Sequence, residues 1–264
     1  MIIDPILRGP RGRGGLRRLL PPVLLAVLLV AGWTIAAAAL NSSVFPGPGQ
    51  TVDRLLLNLD ATRFQESTAD TLLRLSVSWL LVVAVGGAIG FLIGLSRFWT
   101  DVFSPVVYAV YSIPKIVLFP LFLVFLGLGE ASQIGFAFFS GVIPMVLMTL
   151  NATAGTPLAP LKLAASLRMG TWPVVRTVVL PAALPAIATA LRLTFGLTFL
   201  GLIIAEMFTG VSGLGYELLR NVVLAQMEDI VGGVLLIALI AVAPTTLLRV
   251  LEMRVARRFG GGDV

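Results

Sequence analysis

Four ionisable side chains, Arg74, Lys115, Arg192 and Glu206, fall within or beside the long apolar runs of a 264-residue chain. A charged group in such a place costs several kcal/mol unless it is paired or wet, so each is a candidate for binding or moving a polar solute. Arg74 and Glu206 lie near the ends of their runs, where hydration is cheap, and read as anchoring or packing groups. Lys115 directly follows Pro114, and a proline at membrane depth frees a backbone carbonyl and bends its helix. Pro114, Lys115 and Glu206 are therefore candidate residues of a path for a polar solute. A static kink with Lys115 snorkelling to an interface is the open alternative. Pro105, Pro120, Pro144, Pro185 and Pro244 recur at similar depth.

Other chemistries lack their side chains. The chain has no histidine and no cysteine, which removes zinc fingers, haem and iron–sulfur ligation, a Ser-His-Asp triad, a thiol nucleophile and disulfides. No G-x-x-x-x-G-K-[ST] run is present to cradle a nucleotide phosphate. The chain reads as a protein without an enzymatic activity or cofactor of its own.

The elements that must position these residues follow from composition. Hydrophobic residues make up 58% and charged residues 12%, against roughly 45–50% and about 25% in soluble domains. With mean hydropathy at +1.00, this much apolar surface cannot fit inside one water-enclosed core, so lipid is the solvent. The net charge of +6 then reflects arginines beside a membrane rather than a nucleic-acid surface. Apolar runs long enough to span occur at 19–40, 71–96, 103–127, 133–150, 184–208 and 230–248. The first follows a basic stretch like that of a signal peptide, but it is longer than the usual apolar region of one.

Six spans, an all-α polytopic fold, place both termini on one side. That side carries the basic segment 1–18, Arg97, Lys162, Arg168, Arg176 and the tail 251–264 with Arg254, Arg257 and Arg258. The opposite segments are all net acidic, as the positive-inside rule requires if both termini are cytoplasmic. The six-helix domain thus occupies 19–250, with an interior loop at about 152–181.

In the second span Gly86, Gly90 and Gly94 recur every fourth residue, which lets another helix approach closely. Packing within the chain is the plain reading, with a subunit interface or a moving contact as the alternative. The interior loop reads as two short amphipathic helices separated by Met169-Gly170-Thr171, with Pro173 in the first turn of the second. Leu163 and Leu167 lie one turn apart, and Lys162 and Arg168 face solvent or an acidic partner. A lever docking on a cytoplasmic protein requires such a segment; a helix resting on lipid is the alternative.

Read in order, these residues resemble the membrane-spanning permease subunit of bacterial ATP-binding-cassette importers, type I, of the nitrate, sulfonate and taurine group. The resemblance is carried by GFLIGLSRFWTDVFSPVVYAVYSIPKIVLFPLFLVFLGLGE at 90–130, AASLRMGTWPVVRTVVLPAALPAI at 164–187, AEMFTGVSGLGYEL at 205–218 and, more weakly, FPGPGQTVDRLL at 45–56. It implies a multi-pass protein of the bacterial inner membrane, working as a homodimer in lipid. Two ATPase subunits, which would hold ATP and Mg, would dock on the loop, and an extracytoplasmic solute-binding protein would deliver a small anion such as a sulfonate or nitrate. The ATPase-coupling residues would be Lys162, Leu163, Ala164, Ala165, Leu167, Arg168, Gly170 and Trp172.

The family's coupling motif opens Glu-Ala-Ala and has glycine six residues after the Glu. Aligned without gaps from Leu180-Pro181, Lys162 stands at the Glu and Arg168 at the Gly; aligned on Gly170, Ala164 stands at the Glu. In both registers the acidic residue is missing, and Lys162 or Arg168 meeting an acidic partner surface would replace it. A stand-alone secondary transporter or channel is the competing reading; internal inverted repeats would favour it, and the hydropathy pattern has none.

Overall fold

The computed structural model describes residues 15–40, 45–210 and 212–259, except the side chains of 15–20 and 22. Of the basic segment 1–18, residues 1–14 lie outside the described residues, as do 260–264 of the tail. The described residues form ten helices: α1 Gly15–Leu40, α2 Pro48–Asp60, α3 Thr62–Gly94, α4 Arg97–Ser112, α5 Lys115–Leu126, α6 Glu130–Ala154, α7 Leu158–Ser166, α8 Thr171–Thr209, α9 Leu214–Val223 and α10 Met227–Phe259.

Five of these, α1, α3, α6, α8 and α10, are each long and apolar enough to cross a membrane. The third span differs from the continuous kinked helix that the sequence suggests: it is the pair α4 and α5, bent by 83°. The physical cause is local. Ile113 precedes a proline and is driven into extended backbone at ψ 128°, and Pro114 follows at ψ 104°, so the helical path is lost for two residues.

At the centre lies α6, the most enclosed of the long helices. Its apolar residues are distributed all round its axis, as a helix needs when protein surrounds it. Gly86, Gly90 and Gly94 on α3 face it. A Cβ added at Gly90 would run into the Val146 carbonyl, and one at Gly94 would lie 2.7 Å from Thr153 Cβ and 2.8 Å from the Leu150 carbonyl. On the other flank Gly141 of α6 meets Thr198 of α8, while a Cβ at Gly201 of α8 would lie 2.6 Å from Ser140 Cβ. Lipid supplies no hydrophobic drive between helices, and these glycines replace it with close van der Waals contact along both seams. The main apolar cluster joins Leu75 of α3 to Phe195, Phe199 and Leu202 of α8 and Leu236 of α10, with Trp79 edge-on to Phe195 at 5.6 Å.

Two amphipathic helices, α2 and α9, cover the end of the bundle where α3, α6 and α10 begin. Arg54 of α2 pairs with Asp229 of α10 at 3.1 Å, and Arg63 of α3 with Glu217 of α9 at 2.7 Å. The opposite end carries α7 and the turn between α3 and α4. By contrast, α1 has none of its apolar span buried against the rest of the chain; its one described polar tie runs from Trp33 Nε1 to the Pro46 carbonyl at 3.1 Å.

Candidate functional site

Three arrangements gather the residues with functional potential, and the first is the loop after α6. Only the first of the two expected short helices is separate. It is α7, which ends in a turn over Leu167–Gly170; Pro173 lies in the first turn of α8, which continues through a wide π-type turn at Val175–Val179 without a break to Thr209. At 39 residues and about 1.5 Å per residue, α8 is far longer than a hydrocarbon core of about 30 Å. Part of it must therefore stand outside the hydrocarbon core.

Leu163, Leu167 and Trp172 project outward at 62%, 66% and 72% exposure, whereas Ala164 is buried beneath them. Lys162, Ala165, Arg168 and Gly170 are also exposed. Three large apolar side chains beside two cations are thus exposed together on this loop and the first turn of α8. Beneath α7 a cavity of about 720 Å³ is lined by Arg97, Thr100 and Asp101 of α4, Thr153 of α6, and Ala165 and Met169.

The turn also bears on the two possible registers. Arg168 has φ +52°, a left-handed conformation that favours glycine, while Gly170 has an ordinary φ of −66°. The site at which a glycine would relieve strain is thus Arg168, in agreement with the ungapped register. The turn is held by Arg168 N–H donating to the Ala165 carbonyl and Met169 N–H to that of Ala164, both at 3.0 Å.

The second arrangement is a face built from the bend of α4–α5 and one side of α8. Lys115 is half-buried; its Nζ donates to the Ser140 carbonyl of α6 at 3.0 Å and lies 5.2 Å from the Tyr111 ring centre. A cavity of about 250 Å³ opens beside Lys115, and a second of about 400 Å³ lies beside Tyr111; Leu197 lines both. Leu193, Gly196, Leu200 and Ile204 continue the strip along α8 at helical spacing. Pro114 is exposed at the bend that turns Lys115 towards α6.

Glu206 is brought not to that face but to the third arrangement, a closed cluster at the far end of α8. The hydration expected near the ends of the spans is absent: Arg74 and Glu206 are 3% and 0% exposed. Arg74 reaches Glu206 at 3.3 Å, Glu130 at 3.0 Å and Asp70 at 3.4 Å, and donates to Ser212 Oγ at 2.7 Å. Glu206 also accepts from Thr71 Oγ1 at 2.9 Å and from Gly215 N–H at 3.0 Å. Thr71 Oγ1 in turn accepts from Leu214 N–H at 2.8 Å. Gly213, at φ +106°, has no room for a Cβ, which would overlap the Glu206 carboxylate. Arg192, the remaining charged candidate, pairs with Glu252 of α10 at 2.7 Å.

The sequence reading passed over Tyr111, Ser140, Leu197, Glu130 and Asp70. Tyr111 stands four residues before Lys115, and Ser140 four before Pro144; that spacing was the available signal for those two. Asp70 likewise stands four residues before Arg74, with which it pairs along α3; for Glu130 there was no such signal, because its role depends on where Arg74 is carried.

Comparison with known proteins gives a consistent picture. Residues 83–261 match the family described as binding-protein-dependent transport system inner membrane component. The chain is 30% identical over 237 residues to the taurine transport system permease protein TauC of Escherichia coli, covering 87% of this chain and 86% of that one. It is 26% identical over 242 residues to the putative aliphatic sulfonates transport permease protein SsuC of Bacillus subtilis, covering 90% and 86%. Among solved structures, a chain of the inward-facing MetNI methionine ABC transporter superposes with a TM-score of 0.59 at 21% identity, covering 74% of this chain and 94% of that one. At that identity the likeness is one of fold.

Proposed function

The chain belongs to the binding-protein-dependent transport system inner membrane components, multi-pass proteins of the inner membrane, and from that premise we propose that it is the permease subunit of an importer driven by a separate ATP-binding-cassette ATPase. The solute is a small anion of the sulfonate or nitrate kind. The observation that carries the reading is the knob of Leu163, Leu167 and Trp172, which stands clear of the spans on a turn of fixed geometry.

In this reading the α7 end faces the cytoplasm, where Arg97, Lys162, Arg168 and Arg176 satisfy the positive-inside rule. Leu163 and Leu167 enter a groove of the ATPase, and Lys162 or Arg168 meets an acidic rim there. Ala164 seats α7 on the bundle, so movement of the ATPase pair is delivered to the start of α8. Because α8 is one continuous helix, it carries that movement to the cluster around Glu206 and biases the bundle between two global states. The strip along α8 with Lys115 lines half of the pathway, and a second copy supplies the other half. A solute-binding protein meets the end covered by α2 and α9. ATP and Mg stay on the ATPase, and this chain breaks no covalent bond.

The test is uptake into vesicles containing the chain with and without its ATPase. Transport that requires the ATPase, ATP and the binding protein is the expected result. Solute crossing with this chain alone would replace the reading with that of a stand-alone carrier or channel.

A further inference from the structure

Pro144 has no N–H, so the Ser140 carbonyl one turn earlier in α6 lacks its helical donor. Lys115 supplies one, from Nζ at 3.0 Å. That duty needs only a neutral donor. A lysine does more: it brings an ammonium to a half-buried place at membrane depth, where an unpaired charge is costly. Among the described residues no carboxylate lies within ion-pair distance of Lys115. The Tyr111 ring at 5.2 Å offers partial compensation through its negative face.

The three N–H donors of an ammonium leave two beyond the bond to Ser140. Lys115 borders a cavity of about 250 Å³ whose other walls, apart from Ser140 and Gly201, are the apolar side chains of Ile116, Phe136, Leu197, Leu200 and Ile204. With no side chain, Gly201 lets α8 lie directly against Ser140 of α6. The geometry points to Lys115 as the specificity-determining residue of the pathway, an anion subsite at which the oxyanion of a small solute takes the two remaining donors while its carbon chain lies on Leu197 and Leu200. This deepens the importer reading and rests on it for the identity of the solute, but the subsite can be tested without ATPase or uptake.

The chain has no cysteine, so Leu200→Cys places one thiol in the wall of the cavity. The probe is 2-sulfonatoethyl methanethiosulfonate, itself a small sulfonate, compared with the trimethylammonium-ethyl reagent. Each rate is divided by that reagent's rate with free mercaptoethanol, on the full chain in phosphatidylcholine nanodiscs, which exclude anionic headgroups. The expected preference for the sulfonate is about tenfold, the lower range for focusing by a fixed charge. Lys115→Gln, which keeps a donor for Ser140, should abolish the preference, and Lys115→Arg should retain it.

Absence of a preference, or one that survives Lys115→Gln, overturns the proposal. A Leu200→Cys chain whose thiol reacts with neither reagent overturns it as well, because the face then lies in lipid rather than on a water-filled path. Should the preference appear while uptake proves independent of an ATPase, the subsite stands and the importer reading falls.

Discussion

The guanidinium of Arg74 donates to the Glu206 carboxylate at 3.3 Å, with both side chains shut off from solvent. The pair ties the first half of α3 to the last turn of α8. Around it Thr71, Ser212, Gly215, Glu130 and Asp70 take the other hydrogen-bonding positions, so the segment after α8 is clamped back onto the bundle. Removing one partner of a buried pair leaves an uncompensated charge and costs about 3–5 kcal/mol. Arg74→Met is therefore expected to lower the melting temperature of the purified protein in detergent sharply. Glu206→Gln on that background should recover part of the loss. Full stability of Arg74→Met alone would show that the pair does not clamp the segment.

Gly213→Ala tests the same clamp from the backbone. A methyl group there meets the Glu206 carboxylate, and the residue must hold φ +106°, a conformation that costs a non-glycine residue about 1–3 kcal/mol. Gly210→Ala, at φ +64° with open space around it, should cost less. Thermal melts of the two variants should rank in that order; the reverse ranking would place the constraint at Gly210.

The seam between α3 and α6 makes a graded prediction. Gly90→Ala inserts a methyl group against the Val146 carbonyl, whereas Gly87→Ala makes only ordinary contact with Met145 Cε at 3.5 Å. Overpacking of this kind costs about 1–3 kcal/mol, so Gly90→Ala should lower thermal stability and the yield of monodisperse protein, and Gly87→Ala should change neither. Equal behaviour of the two would mean that the seam yields freely.

For the knob, Leu167→Glu is expected to abolish ATP-driven uptake and co-purification of the ATPase while membrane insertion and melting temperature stay unchanged, since Leu167 is 66% exposed. At the neighbouring position Arg168→Gly should stabilise the turn by about 1–2 kcal/mol, the cost of left-handed backbone to an L-residue that glycine escapes, and Arg168→Ile, which brings in a β-branched side chain, should destabilise it. Undiminished uptake by Leu167→Glu would remove the knob from the coupling path.

Much of the architecture was legible because hydropathy and length act locally. A run of twenty apolar residues has few alternatives in water, and glycines at four-residue spacing predict a close seam wherever their partner lies. The 83° bend was half legible: Pro114 announced a kink, but its size depends on what α5 packs against, and Phe119 and Phe122 of α5 rest on Phe136 of α6. The loop was misread in its second half, because an exposed first turn of a long helix has the same amphipathic pattern as a short independent one. The burial of Arg74 and Glu206 was misread because depth along one helix says nothing about what covers its end.

Composition and spacing by themselves determined that this chain lives in lipid, spans it about six times, performs no thiol or imidazole chemistry and carries a polar segment between its fourth and fifth spans. These are properties of solvent transfer and helical period, which depend on neighbours in sequence. Tertiary structure alone decided that Arg74 is neutralised by Glu206 from 132 residues away, and that Lys115 meets the carbonyl that Pro144 leaves open. Charges at membrane depth are settled by their partners, and those partners are brought together only when the helices pack.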